Sequence, residues 1–208
     1  MARSAADHLP ESHSLPELRD AAASCRGCDL YKHATQTVFG EGTRNAEVML
    51  VGEQPGERED IQGAPFVGPA GRLLDRALEA AGIDRKRVYV TYVVKHFKWT
   101  ERGKRRIHKK PSMAEISACR PWLDAEIETV RPKLVVCLGA TAAQAVIGRD
   151  FRVSRQRGEF VEKENMPLLS ATVHPSSVLR APDAESRNLE EKHFTEDLAQ
   201  VARKLTEL

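Results

Sequence analysis

The chain has almost no net charge, no long apolar run and few cysteines, and each absence narrows what it can do. Lys and Arg number 32 against 30 Asp and Glu, a formal charge of +2 over 208 residues, so net charge alone names no partner. No apolar stretch approaches the ~20 residues of a membrane helix. Met1–Pro10 also lacks the apolar centre of a secretory signal. The expected location is cytoplasmic, with no membrane partner. Four cysteines in that compartment stay reduced and are structural, catalytic or metal-binding. There is no internal repeat and no low-complexity linker. One domain over residues 1–208 is the expectation for this length, with Met1–Ser14 polar and frayed.

Net charge is small, but charge is unevenly placed. Between Arg85 and Lys110 stand eleven basic residues: Arg85, Lys86, Arg87, Lys95, Lys98, Arg102, Lys104, Arg105, Arg106, Lys109 and Lys110. One acid, Glu101, shares that span. Such a bias points to an anionic partner on one face, nucleic acid first.

The organising stretch is Val48-Met-Leu-Val51, followed by Gly52-Glu53-Gln54-Pro55-Gly56. A short apolar run closed by Gly and Pro reads as a buried strand entering a tight turn. In an open α/β sheet, ligands sit beyond the carboxyl ends of strands, which places Glu53 at the mouth of a crevice. Gly52, Pro55 and Gly56 let the main chain run close to a ligand, with N–H groups free to donate.

Upstream, Leu15–Ser24 reads as a short helix delivering Cys25-Arg-Gly-Cys28. A Cys-x-x-Cys pair holds a metal or cluster, forms a redox dithiol, or is two ordinary thiols. A position after a helix rather than a strand disfavours the dithiol. Downstream, Glu57–Gly63 reads as a polar loop. The segment Ala64-Pro-Phe66-Val-Gly68-Pro-Ala-Gly71 then opens a helix with Leu73, Leu74, Ala77, Leu78 and Ala81 on one face and Gly82 as its cap. Phe66 lies in a Gly/Pro-rich loop, where it either stacks on a flat ring or tucks into the core. The helix start after Gly68 offers N–H groups to an anion.

Val88–Val94 is β-branched and aromatic, a second strand, ending in Lys95 and His96. Lys98–Lys110 shows no apolar periodicity and reads as a basic loop. Like charges disfavour a protonated imidazole, and a neutral one is a nucleophile or a base. His108 is therefore of more interest than an ordinary surface histidine. Ser112 to about Val130 reads as a helix carrying Cys119, Lys133–Gly139 as a third strand, and Ala140–Ile147 as a helix. Cys137, inside an apolar run, reads as a small hydrophobe. Phe151–Lys163 reads as a hairpin or irregular extension and Pro167–Val173 as a fourth strand. The latter ends in His174-Pro-Ser176-Ser-Val-Leu179-Arg180. Glu185–Leu205 is the last helix, with Leu189, Phe194, Leu198, Val201 and Leu205 on one face.

Alternating strands and helices predict an α/β fold: a three-layer α/β/α sandwich around a central, mainly parallel four-stranded sheet. That arrangement gathers Glu53, the Tyr92–His96 segment and His174 at one sheet edge. Leu179 beside Arg180 suits an apolar wedge next to a phosphate contact, or a core leucine.

Together these residues resemble the uracil-DNA glycosylase superfamily, in particular the iron–sulfur family 4 enzymes and the cross-linking UdgX type near them. The resemblance runs from Cys25 to the final helix. Gly52-Glu-Gln-Pro-Gly56 resembles motif A, and the Phe66 segment resembles the one whose Phe stacks on uracil. His174–Arg180 resembles motif B. Lys104-Arg-Arg106-Ile-His108 resembles the extra loop that marks UdgX.

The resemblance implies excision of uracil from DNA, single-stranded by preference, by a monomer. The DNA stays joined to His108, while Glu53 and His174 assist the chemistry. It implies substrate contacts from Gly52, Gln54, Pro55, Gly56, Phe66, Tyr92, Arg106, Ser176, Leu179 and Arg180. It also implies a [4Fe–4S] cluster on Cys25, Cys28 and Cys119. His96 stands where the family's fourth Cys falls, with Cys137 the outside alternative, and three Cys with one His suit zinc as well. One position departs. The family has Thr-Asn at the end of the second strand, and this chain has Thr91-Tyr92. A Tyr hydroxyl cannot reproduce an amide's paired donor and acceptor, so Tyr92 alters base preference, weakens the reaction or fills the pocket. Two other readings stand beside cross-linking: a turnover glycosylase releasing uracil or another damaged base, and a non-enzymatic binder of single-stranded DNA.

Overall fold

The computed structural model describes residues 4–11 and 14–208. The elements run α1 (Leu15–Ala22), β1 (Val48–Gly52), α2 (Glu57–Gln62), α3 (Pro69–Ala80), β2 (Val88–Tyr92), β3 (Trp99–Arg102), β4 (Arg105–His108), α4 (Met113–Val130), β5 (Leu134–Leu138), α5 (Ala140–Val146), α6 (Val153–Gln156), β6 (Phe160–Val161), β7 (Leu168–Thr172), α7 (Pro175–Leu179) and α8 (Ala184–Leu205). Part of the segment expected to be frayed, Ala5–His8, forms a 3-10 turn with Ala5 buried. Residues 1–3 and 12–13, covered by the same expectation, lie outside the described residues. No described helix is long and apolar enough to cross a membrane.

The central sheet has the order β2-β1-β5-β7-β6. The first four strands are parallel to one another, and β6 pairs antiparallel with β7. The sheet thus has five strands where the apolar runs indicate four. The fifth is two half-buried residues, Phe160 and Val161, too short for any periodic signal. The rest of Phe151–Lys163 holds the helical turn α6 rather than a hairpin.

Strand alternation sorts the core onto two faces. Met49, Val51, Tyr89, Val135, Cys137 and Leu169 pack with α1, α4 and α5. Val48, Leu50, Val88, Val90, Leu134 and Val136 pack with α3, α7 and α8. With both faces covered, the strand sequences are largely apolar, and the polar residues Thr91, Ser170 and Thr172 are buried with them. Each large side chain so buried contributes roughly 1.5–3 kcal/mol relative to exposure. Leu189, expected on the core face of the last helix, is instead 51 % exposed, because the docked face of α8 is Phe194, Leu198 and Val201.

The chain leaves β1 for β2 on one side and takes up β5 on the other. The carboxyl ends of β1 and β5 therefore flank the point where strand order reverses, the usual place for a crevice.

Two stretches expected to be loops are ordered. Glu57–Gln62 is α2. All six residues but Ile61 are polar, yet the Glu59 carboxylate accepts the Gly56 N–H at the helix start, as in a capping box. Lys98–Lys110 holds the antiparallel ribbon β3–β4, paired Trp99 to His108 and Arg102 to Arg105. Its strands are mostly exposed, so no core face writes itself into the sequence.

Candidate active site

A cavity of about 760 Å³ opens at the carboxyl edge of the sheet, lined among others by Glu53, Phe66, Tyr92, His108, His174 and Arg180. Glu53 is the first residue past β1. Its Oε1 stands 3.3 Å from His108 Nε2 on the ribbon. Sequence reasoning had placed Glu53 and His174 at this edge; the ribbon brings His108 to them.

Several contacts aim the ribbon. Strand alternation puts Arg106 and His108 on one face of β4. Arg106 bonds Asp60 at 2.7 Å and Glu57 at 3.3 Å. Its guanidinium lies over the rings of Phe97 and Trp99, at 5.5 and 5.4 Å from their centroids. Asp60 is fully buried and also accepts the N–H and hydroxyl of Thr35. Gln54 uses its whole amide on the ribbon's base. It accepts the Lys98 N–H and donates to the carbonyls of Lys98 and Lys109, all at 3.1 Å. The structure therefore places Gln54 and Arg106, expected to touch substrate, as supports for the His108 ribbon.

The motif glycines differ from expectation too. The Gly56 N–H is not open to a ligand, nor is the Gly68 N–H just ahead of the α3 start. The buried Glu59 carboxylate takes both, at 3.1 and 2.7 Å. Pro55 is buried. Gly52 lies under two rings, for a Cβ there would stand 2.8 Å from Tyr92 and 3.0 Å from Phe66. Phe66 is held at φ 57°, and Gly71 makes that possible: a Cβ on Gly71 would fall 1.5 Å from the Phe66 carbonyl oxygen. The Phe66 ring stacks on Tyr92, centroids 4.9 Å apart and 16° between planes.

His174 caps α7. Its Nδ1 accepts the Ser176 N–H at 3.1 Å and lies 2.8 Å from Ser176 Oγ. An accepting Nδ1 assigns the proton to Nε2. Burial, with Arg180 and His108 nearby, pushes its pKa down to about 4, so the ring is a neutral N–H donor near neutral pH. Arg180 is exposed and donates to Ser176 Oγ at 3.0 Å. Leu179 is half-buried against the core.

The basic span divides. Lys95 is not on the surface at all. It is buried and ion-paired with Glu126, which also accepts from Tyr89, Thr91 and the Gly40 N–H. Lys98 pairs with Glu115, Arg85 with Asp75 and Arg87 with Glu47. Arg102, Lys104, Arg105, Lys109 and Lys110 are exposed on the ribbon and at its foot. That is the part suited to phosphates.

The thiols gather on the other face of the sheet. Cys25, Cys28 and Cys119 are near enough to influence one another electrostatically. Cys25 Sγ accepts from Trp122 Nε1 at 3.2 Å and Cys119 Sγ from the Lys95 N–H at 3.3 Å. N–H donors onto sulfur are the surroundings that tune iron–sulfur centres. Burial pushes the Cys119 thiol up to about 12, and metal binding displaces such protons. His96 is buried, which lowers its pKa to about 4. Thr37 donates its hydroxyl proton to the Ala22 carbonyl and lies 2.9 Å from His96 Nε2. Nε2 therefore carries the ring proton, and the Nδ1 lone pair is left for a metal. In donor chemistry the four residues fit a cluster. Among the described residues no group of three or more ligating side chains is already spaced for a single ion. Cys137 is fully buried in the strand.

Glu59, Asp60, Glu126 and Thr37 were missed from sequence. Only Glu59 left a signal, three residues after Gly56 at capping-box spacing.

Known proteins resemble the chain over most of its length. The family model for the uracil DNA glycosylase superfamily matches residues 39–200. The type-4 uracil-DNA glycosylase of Archaeoglobus fulgidus is 38 % identical over 176 residues, 81 % of this chain and 85 % of that protein. The type-4 uracil-DNA glycosylase of Sulfurisphaera tokodaii is 36 % identical over 178 residues, 82 % of this chain and 78 % of that protein. The type-5 uracil-DNA glycosylase of Pyrobaculum aerophilum is 33 % identical over 152 residues, 65 % of this chain and 63 % of that protein.

Proposed function

Because the chain belongs to the uracil DNA glycosylase superfamily, we propose that it excises uracil from single-stranded DNA and remains covalently joined to the sugar through His108, as the UdgX type does. The observation carrying this reading is the 3.3 Å approach of His108 Nε2 to Glu53 Oε1 at the rim of the crevice. A structural surface histidine has no need of a ribbon anchored by Gln54 and Arg106 to reach a carboxylate.

The chemistry balances. A target base must leave the stack, which costs least in single-stranded DNA. The C1′–N1 bond breaks and its electron pair leaves with the base as an anion, which the neutral His174 Nε2–H stabilises. C1′ is left as an oxocarbenium-like centre beside the Glu53 carboxylate. One imidazole nitrogen of His108 bonds to C1′ with its lone pair, and the other gives its proton to Glu53. Held in place, the ring outcompetes water through proximity. The bonded imidazole is neutral once Glu53 holds its proton, and a neutral alkylated imidazole is a poor leaving group, so one turnover ends in an adduct.

Denaturing electrophoresis with labelled single-stranded DNA carrying one uracil tests this. A shifted band that survives SDS and heat, and disappears in His108→Ala, is the expected result. An alkali-labile abasic site without a shifted band would leave a turnover glycosylase and withdraw His108 as nucleophile. Neither product, with uracil-independent binding, would leave a DNA-binding protein.

Cys25, Cys28, His96 and Cys119 hold a [4Fe–4S] cluster in this reading. The group ties α1, the end of β2 and α4 together, and a neutral imidazole in place of a thiolate raises its potential. Purified protein is expected to be brown, with a broad absorbance band at about 400 nm and iron and sulfide by analysis. Colourless protein containing zinc would replace the cluster with a structural zinc site.

A further inference from the structure

Phe66 offers a flipped base two things: a flat ring to stack on and a main-chain N–H for an exocyclic oxygen. Both are already taken from within. The Tyr92 ring is stacked on Phe66 at 4.9 Å and 16°, and the Tyr92 hydroxyl oxygen accepts the Phe66 N–H at 2.9 Å. Tyr92 is 2 % exposed and Phe66 9 %, so little of either ring face is left open. Gly52 gives the pair its room, since any Cβ there would press on both rings. The cavity beside them still measures about 760 Å³. A nucleotide has space to enter, but its base finds the slot on Phe66 filled.

We infer that Tyr92 is an internal stand-in for the base, its ring and hydroxyl oxygen holding the stacking and acceptor positions on Phe66 that a carbonyl-edged pyrimidine takes once Tyr92 swings aside. This rests on the glycosylase reading above and makes Tyr92 the residue that sets base specificity. The exchange is itself selective. A base with a carbonyl at that edge restores both contacts Tyr92 gives up. A base with an amino group there sets a donor against the Phe66 N–H, and a buried donor without an acceptor is penalised. Cytosine therefore displaces Tyr92 poorly, and uracil displaces it at a cost that slows the wild-type protein.

The test measures base loss from a single-stranded oligonucleotide with one deoxyuridine, scoring adducts and alkali-labile sites together. The outcome then does not depend on whether His108 captures the sugar. Tyr92→Phe keeps the ring and frees the Phe66 N–H; Tyr92→Ala frees both. The expected order of rates is Tyr92→Ala, then Tyr92→Phe, then wild type. The alanine variant should gain at least about fivefold, the low end for one base–aromatic stack. Thermal melts check that each variant is folded, and Tyr92→Phe carries the test if the alanine variant is not. Folded variants no faster than wild type would overturn the stand-in. If no variant releases uracil, affinity is compared for oligonucleotides carrying deoxyuridine or deoxycytidine at that position. A preference for deoxyuridine that rises in both variants would uphold the stand-in while withdrawing the glycosylase reading, and one unchanged by either substitution would overturn it.

Discussion

Replacing His174 with alanine is expected to lower the single-turnover rate of uracil release by about 10²- to 10³-fold, the usual effect of removing one donor aimed at developing negative charge. The donor is fixed before substrate arrives. Nδ1 is committed to the Ser176 N–H, so the ring cannot turn without unpairing the start of α7, and Nε2–H is the group left over. A neutral donor suits a leaving base better than an imidazolium, which would hand over its proton and lose its hold. The depressed pKa of about 4 keeps the ring in that state. The same shift has a cost in acid. Between the ordinary value of 6.5 and about 4, the unfolded chain takes a proton that the folded ring refuses. Stability therefore falls as pH drops through that window, by up to about 1.4 kcal/mol per pH unit. A loss below about fivefold in His174→Ala, against the hundredfold typical of such donors, would remove His174 from the chemistry.

The second large effect belongs to a residue far from the rim. Glu126→Ala is expected to destabilise the fold by about 3–5 kcal/mol, because it leaves the Lys95 ammonium buried without its counter-charge. It also strips partners from Tyr89, Thr91 and the Gly40 N–H. Urea unfolding of the wild type and the variant measures it. Glu126→Leu combined with Lys95→Met, which removes both charges, should recover most of the loss. A single-variant cost under about 1 kcal/mol would mean that water reaches the pair. Function should follow stability here. Lys95 Nζ donates to the Tyr92 carbonyl at 2.8 Å, and its main-chain N–H donates to Cys119 Sγ. One buried side chain and its own peptide thus join the crevice to the thiols.

What could be read from sequence was whatever local pattern encodes. Val48–Val51 and Leu134–Leu138 are continuous apolar runs, and Val88–Tyr92 and Leu168–Thr172 are short and mostly apolar, as strands covered on both faces are. That Glu53 and His174 stand at one sheet edge was legible because open α/β sheets bind ligands beyond the carboxyl ends of their strands. What stayed hidden depends on partners distant in the chain. Lys95 looks like one more cation until Glu126, 31 residues on, is seen against it. Gln54 looks like a ligand contact until Lys98 and Lys109 claim its amide. Glu57–Gln62 looks like a loop because a short polar helix docked by one carboxylate has no apolar stripe. The Tyr92 hydroxyl meets the Phe66 N–H 26 residues away, and no motif spacing announces that.

The ribbon that carries His108 ends where it begins. The Lys109 N–H donates to the Lys98 carbonyl at 2.9 Å, so the two feet are already neighbours on the scaffold. Such a segment is a cassette. Closing the gap between those feet adds little loop entropy, so the tether to the rest of the fold is made by side chains: Arg106 on the buried Asp60 and Trp99 on the His33 carbonyl. In the reading proposed above, the base pocket and the anion-stabilising histidine belong to the sheet, whereas the capacity to stay attached to DNA belongs to the ribbon Trp99–His108 alone.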